Sequence, residues 1–210
     1  MKNTIAVILA AGEGKRMKTK AAKTMHKVCG RPMVEWVWKA VSCAGIDECI
    51  IVVGHRADQI MEFMGNKPKY AIQEPRMGTG HAVMQALPLM EGRKGNAVVL
   101  AGDVPLIRTG TIKDLVAKHV SEGNAVTVIS AELANPLGYG RIIRNDSGGI
   151  RKIVEHRDAG PEELAVHEIN SSIYCFDIEC LIDAVKGLKN DNDQAEYYLT
   201  DTVGILLSRG

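Results

Sequence analysis

The chain has 210 residues, 46% hydrophobic and 24% charged, with a formal net charge of +1 at pH 7. That excludes disordered, fibrous and polycationic nucleic-acid-binding chains, and at about 150 residues per domain it allows one generous domain or two small ones. The charge is nevertheless segregated: Glu13–Arg31 carries seven lysines or arginines against one acid, and Glu155–Asp201 twelve acids against three bases.

In chain order, the first apolar run is Ile5–Ala10. It is far shorter than the roughly 18 residues of a membrane helix and passes into Gly12-Glu13-Gly14 without a cleavage site, so it reads as a buried strand. Pro32 suits the first turn of a helix that continues through Val34, Val37, Trp38 and Val41. Strands follow at Ile50–Val53 and Tyr70–Ile72, a helix at Gly80–Met90, a strand at Ala97–Ala101, a helix at Thr111–Glu122 and a strand at Ala125–Ile129. The longer strands are apolar without alternation, as in a parallel sheet covered on both faces. This βαβα rhythm predicts an open, doubly wound, mostly parallel α/β sheet of Rossmann-like type, with ligands at the carboxyl ends of its strands.

Beyond Asn135 the strands shorten, at Arg141–Arg144, Ile150–Glu155 and Ile169–Phe176, the first two joined by a turn at Asn145–Gly149. Helices at Ile178–Gly187 and Thr200–Ser208 follow. The expectation is a single domain over 1–210, with a nucleotide part at about 1–134 and a β-rich lobe at about 135–210. The cysteines, Cys29, Cys43, Cys49, Cys175 and Cys180, form no CxxC pair; scattered thiols point to a reducing, cytoplasmic setting and structural roles.

The loop Gly12-Glu13-Gly14-Lys15-Arg16-Met17 fits neither familiar phosphate motif. A P-loop needs glycine where Leu9 stands and a hydroxyl where Arg16 stands; a dinucleotide fingerprint needs a small residue at Met17 and an apolar helix after it. What remains is a glycine loop leading into a mobile cationic segment, Lys15, Arg16, Lys18, Lys20 and Lys23. Glycines let backbone N–H groups approach phosphate oxygens and arginine adds a bidentate clamp, which suits a triphosphate. Asp103, just past Ala97–Ala101, stands where an acid can bind Mg2+ beside phosphates.

Six motifs occur in order: Leu9-Ala10-Ala11-Gly12-x-Gly-x-Arg16-Met17 with Lys23; Gln73 with Gly78-Thr79-Gly80-His81-Ala82; Gly102-Asp103-Val104-Pro105-Leu106; Gly138-Tyr139-Gly140-Arg141-Ile142; Ile153-Val154-Glu155-His156; and Glu168-Ile169-Asn170. Together they resemble the sugar-1-phosphate nucleotidyltransferases, in particular the uridyltransferase domain of bacterial bifunctional N-acetylglucosamine-1-phosphate uridyltransferases. The resemblance extends to Glu196-Tyr197-Tyr198-Leu199-Thr200-Asp201.

The resemblance implies the nucleotide-diphospho-sugar transferase fold, with a small sugar-binding lobe. It also implies transfer from UTP to N-acetylglucosamine 1-phosphate, giving pyrophosphate and UDP-N-acetylglucosamine, a cell-wall precursor. Leu9, Ala10, Ala11, Gly12, Gln73, Gly78, Thr79 and Gly102 would bind the nucleotide, the Gln73 carboxamide reading an edge of uracil. Gly140, Glu155 and Asn170 would contact the N-acetylglucosamine. Arg16 would hold the leaving β,γ-phosphates, Lys23 the phosphoryl groups in the transition state, and Asp103 would be one of two protein ligands of Mg2+. His81 reads as a structural residue at a helix start. The partners would be small-molecule substrates alone, without nucleic acid or membrane, and the oligomeric state is open. Three departures stand out: Ala22 replaces the family's proline before the catalytic lysine, and both the second metal ligand, an asparagine beyond Gly210, and the hexapeptide-repeat acetyltransferase domain are expected to be absent. Rival readings are the same chemistry on another sugar phosphate or NTP, and a non-catalytic nucleotide-sugar sensor.

Overall fold

A computed structural model describes every residue of the chain except Lys2, Lys15, Arg16 and Gly210. The strands are β1 (Thr4–Leu9), β2 (Lys27–Val28), β3 (Arg31–Pro32), β4 (Glu48–Val53), β5 (Lys69–Ile72), β6 (Asn96–Ala101), β7 (Val126–Glu132), β8 (Arg141–Arg144), β9 (Ile150–Val154) and β10 (Glu168–Asp177). The helices are α1 (Met33–Cys43), α2 (Ala57–Met64), α3 (Thr79–Ala86), α4 (Thr109–Glu122), α5 (Pro161–Leu164), α6 (Ile178–Lys186) and α7 (Asp201–Leu207).

Eight strands form one mixed sheet in the order β5-β4-β1-β6-β10-β8-β9, with β7 also paired to β10. The β5, β4, β1 and β6 strands are parallel, whereas β10 runs antiparallel to β6, β7 and β8. Both faces of β1 are covered, which is why its sequence is apolar without a break. Ile5 and Val7 join a core with α3, α6 and α7, and Ala6 and Ile8 join a second core with α1, α2 and α4. At 0–2% exposure these four side chains are withdrawn from water, each isoleucine or valine worth about 1.5–3 kcal/mol of transfer free energy.

The connection from β1 runs through α1 to β4 on one side, while β6 lies on the other side of β1. The chain order therefore reverses between β1 and β6, with Leu9 opposite Ala101 at their carboxyl ends. A crevice at such a reversal is where open α/β sheets bind ligands, because the two outgoing loops diverge there.

Three expected elements differ. The run Ala125–Ile129 is not a parallel strand buried on both faces; from Val126 it lies in β7, half-buried and antiparallel to β10. The helix expected over Gly80–Met90 stops at Ala86 and tightens into a 3-10 turn, Leu87–Leu89, because Pro88 has no N–H to donate. Pro32 caps α1 from outside and pairs with Lys27 in the β2–β3 hairpin, so the helix begins at Met33.

Candidate active site

The β1 loop is tied to its neighbours by backbone hydrogen bonds. Ala10 N–H donates to Val52 O at 2.8 Å, His55 N–H to Ala11 O at 3.1 Å and Gly102 N–H to Leu9 O at 2.8 Å. Leu9, Ala10, Ala11 and Gly102 are thus brought together at the reversal point, with Gly12 next along the loop. Arg16 lies outside the described residues.

Lys23 opens a 3-10 turn, Lys23–Met25, and its Nζ forms an ion pair with Asp103 Oδ2. The loop after β1 and the loop after β6 are therefore joined by opposite charges. Both side chains are about 30% exposed, and a pair so wet contributes little stability, typically 0–1 kcal/mol; it opens at small cost to an incoming anion and cation.

The residues on either side of Lys23 pack against the fold. Ala22 is 1% exposed, and its N–H donates to Gln59 Oε1 on α2 at 2.9 Å, while Thr24 is 3% exposed. Gly14 faces this turn closely: its φ is +65°, and a Cβ there would stand 2.8 Å from Lys23 Cβ. Glu13, Gly14, Lys18, Thr19, Lys20, His55 and Arg56 line an open cavity of about 460 Å³, with three cations positioned for a polyanion. Another cavity, of about 430 Å³, opens at the amino ends of β1 and β4, where the Arg93 guanidinium already donates to Glu48 at 2.7 Å. That end of a parallel sheet is opposite the ligand crevice.

Gln73 follows β5, with its N–H donating to Val53 O at 2.8 Å. Its side-chain Nε2 donates to Gly78 O at 2.9 Å and lies 3.2 Å from His81 Nδ1. Gly78 has φ +97° and ψ 178°, a conformation open essentially to glycine alone. Thr79 Oγ1 accepts from Leu199 N–H at 3.0 Å, Gly80 N–H donates to Tyr197 O at 2.7 Å, and Tyr197 N–H donates to Met77 O at 2.8 Å. A segment from Glu196 to Thr200 therefore lies along the Gly78–Gly80 turn.

The residues expected to read the sugar also meet. Asn170 N–H donates to Gly140 O at 2.9 Å, and a Cβ on Gly140 would stand 3.5 Å from Glu155 Oε2. Asn170 begins a bulge in β10, where Ser172 takes φ +61°. Its own carboxamide is engaged, Nδ2 donating to Tyr174 OH at 2.6 Å and Oδ1 accepting from Ser172 N–H at 3.0 Å. Half-buried Glu155 accepts from Thr200 Oγ1 at 3.0 Å. Burial raises the Glu155 pKa above the ordinary carboxylate value against that hydrogen bond, with Asp201, Asp158 and Glu196 adding in the same direction.

Residue type alone did not single out His55, Arg56, Gln59 or Thr200. Gln59 and Thr200 act through contacts 37 and 45 positions away in sequence. Burial pushes the Cys49 and Cys175 thiols up to about 12, so neither is a thiolate near neutral pH. No helix among the described residues is long and apolar enough to cross a membrane.

Residues 6–164 match the model of the MobA-like NTP transferase domain. The whole chain is similar to the bifunctional protein GlmU of Acetivibrio thermocellus, at 54% identity over 210 residues and 46% of that protein's length. It is likewise similar to the bifunctional protein GlmU of Halalkalibacterium halodurans, at 49% identity and again 46% of its length. The chain spans about half the length of the curated relatives it matches. Among solved structures, a putative glucose-1-phosphate thymidylyltransferase from Bacillus anthracis in complex with a sucrose superposes with a TM-score of 0.82, at 21% identity, over 99% of this chain and 84% of that one. A UDP-glucose pyrophosphorylase complexed with UDP-glucose gives 0.81, at 16% identity, over 99% and 88%. These two likenesses establish the shared nucleotide-diphospho-sugar transferase fold.

Proposed function

The chain belongs to the family of MobA-like NTP transferase domains, and from that premise we propose that it transfers a uridylyl group from UTP to N-acetylglucosamine 1-phosphate, releasing pyrophosphate. The observation that carries the reading is the meeting of Lys23 and Asp103 at the reversal point between β1 and β6. The half-length similarity to bifunctional GlmU proteins supports the choice of uridine nucleotide and amino sugar.

In this reading the sugar-phosphate oxygen attacks the α-phosphorus of UTP in line, and pyrophosphate leaves. The nucleophile is already an anion, so the protein need supply no general base; its work is positioning and charge neutralisation. Lys23 leaves Asp103 for the phosphoryl oxygens as negative charge shifts toward the leaving group, and Arg16 holds the β,γ-phosphates. The loop Leu9–Gly12, with Gly102, cradles the nucleoside, and Gln73, Gly78 and Thr79 hold the base. Gly140, Glu155 and Asn170 receive the sugar, with the hydrogen bond from Leu199 N–H to Thr79 Oγ1, 3.0 Å long between residues 120 positions apart, helping to keep the two halves of the site in register.

Among the described residues no group of three or more acidic, histidine or cysteine side chains could hold a metal alone. A single carboxylate at a strand end fits Mg2+ all the same, because that ion keeps several waters and leans on substrate phosphates. Asp103 would hold it, and the bound ion would neutralise phosphate charge as a Lewis acid and template. The test is pyrophosphate release across four NTPs and several sugar 1-phosphates with Mg2+. Release with UTP and N-acetylglucosamine 1-phosphate is expected. Release with glucose 1-phosphate but not the N-acetyl sugar would overturn the substrate, and tight UDP-sugar binding without release from any pair would mark a sensor instead.

A further inference from the structure

The Gln73 carboxamide sits between two groups whose chemistry dictates its orientation. Gly78 O can only accept, so the side-chain atom 2.9 Å from it is the amide nitrogen. The same nitrogen lies 3.2 Å from His81 Nδ1. An amide nitrogen has two hydrogens to donate and no acceptor capacity. A second amide nitrogen, Gln85 Nε2, lies 3.2 Å from His81 Nε2 and also donates to His81 O at 3.3 Å, and a neutral ring can accept from only one of the two amides. Gln73 is buried away from water that could take its second hydrogen, whereas half-buried Gln85 can turn its own to solvent; the geometry thus favours acceptance at Nδ1, with the ring proton on Nε2. The Tyr197 ring stands 6.1 Å from the imidazole, centroid to centroid. Burial lowers the His81 pKa from the ordinary imidazole value, which favours the neutral ring that this contact needs.

Both amide hydrogens are thus used inside the protein. Gln73 is 3% exposed, and its Oε1 has no hydrogen-bond partner among the described residues. The one capacity the side chain has left is to accept. Uracil presents an N3–H donor, whereas cytosine presents an unprotonated N3 that accepts. A freely turning glutamine could satisfy either base. One held by Gly78 O and His81 Nδ1 can satisfy uracil only, since turning it toward cytosine breaks both bonds and sets Oε1 against the Gly78 carbonyl.

We propose that His81 is a positioning residue that locks the Gln73 carboxamide as a hydrogen-bond acceptor and thereby sets selectivity for a uracil over a cytosine nucleotide. This rests on the reading above that Gln73 meets the base. His81 does not touch the substrate; it acts through Gln73.

The experiment compares kcat/KM for UTP and CTP, with N-acetylglucosamine 1-phosphate and Mg2+, in the parent protein and in His81→Leu, His81→Asn and Gln73→Ala. The ratio is measured within each preparation, so a partly unfolded variant still reports it. His81→Leu is expected to lower the UTP/CTP ratio about fivefold, the factor one neutral hydrogen bond supplies, through KM with kcat for UTP little changed. Asparagine can present Oδ1 to the same amide nitrogen, so His81→Asn should keep the ratio within about twofold of the parent, the spread expected of one hydrogen bond. An equal loss with both nucleotides in His81→Leu would show a merely structural histidine and overturn the inference. If Gln73→Ala abolishes the preference while His81→Leu leaves it intact, the inference alone falls. If Gln73→Ala leaves the preference intact, or the parent does not distinguish UTP from CTP, the underlying reading of the base site falls, and the inference with it.

Discussion

Replacing Gln59 with leucine tests whether α2 anchors the loop that carries Lys23. Gln59 Oε1 accepts the Ala22 N–H at 2.9 Å, and Ala22 is 1% exposed. Leucine matches the volume but accepts nothing, so a buried N–H loses its partner at a cost of about 1–3 kcal/mol. The second contact, Gln59 Nε2 to Lys20 O, is exposed and 3.4 Å long and adds little. For a chain of this size about 2–4 °C of Tm is lost per kcal/mol, so a drop of roughly 5 °C is expected in a thermal melt. Turnover should fall as well, because Lys23 is the next residue. The control is Gln59→Leu combined with Ala22→Pro. Ala22 has φ −56°, within the range proline imposes, and proline has no N–H to leave unsatisfied. The double variant should therefore regain most of the lost Tm. A double variant as unstable as the single one, or a single variant that loses neither stability nor turnover, would refute the anchoring argument.

Lys23→Ala should lower kcat by about 100- to 1,000-fold, as removal of one preorganised charge-stabilising donor does, while KM for UTP changes far less; equal losses in both would contradict a transition-state role. Asp103→Asn should raise the Mg2+ concentration needed for half-maximal pyrophosphate release, and an unchanged Mg2+ titration would remove Asp103 from the metal. Glu155→Gln should raise Tm at pH 7 and not at pH 3. The native pKa lies above the unfolded one, so ionisation costs the native state stability as pH rises from the ordinary carboxyl range through that raised value; a gain of the same size at both pH values would count against this. Gly78→Ala should cost about 1–3 kcal/mol from the backbone conformation alone, and its Cβ would also stand 2.6 Å from Tyr197 O. An unchanged Tm would mean that the Glu196–Thr200 segment yields freely.

The parts of the fold that were legible in sequence are those where one physical pattern has one structural solution. Ile5–Ala10 is apolar on every residue because β1 is covered on both faces, and Asn145–Gly149 turns because Gly148 takes φ +82°. Ala125–Ile129 has the same pattern but a different solution, since a short apolar run does not distinguish a central parallel strand from an antiparallel one beside β10. The α2 helix carries no cap signal: Arg56 precedes it in a left-handed conformation, φ +56°, with no side-chain cap. Within the site, charge and glycine content pointed to the β1 loop and Asp103. What steadies them, the Gln59–Ala22 bond and the Lys23–Asp103 pair, depends on contacts between distant positions that residue type does not reveal.

The segment Glu196–Thr200 extends that logic from one loop to the whole site. Its backbone pairs with Met77 and Gly80, its Leu199 N–H donates to Thr79, and its Thr200 hydroxyl donates to Glu155. Five consecutive residues thus touch both the turn assigned to the base and the carboxylate assigned to the sugar. Gly78 and Gly80 are small because this strand of backbone passes so close: a Cβ at either would fall within 3 Å of Tyr197 O. A shift of the segment would move Thr79 and Glu155 together. The acidic stretch first visible as a charge imbalance is therefore not only a solvated counterweight to the basic loop. Asp158, Glu196 and Asp201 from that stretch lie close enough to Glu155 to raise its pKa, while in the basic loop Lys23 pairs with Asp103.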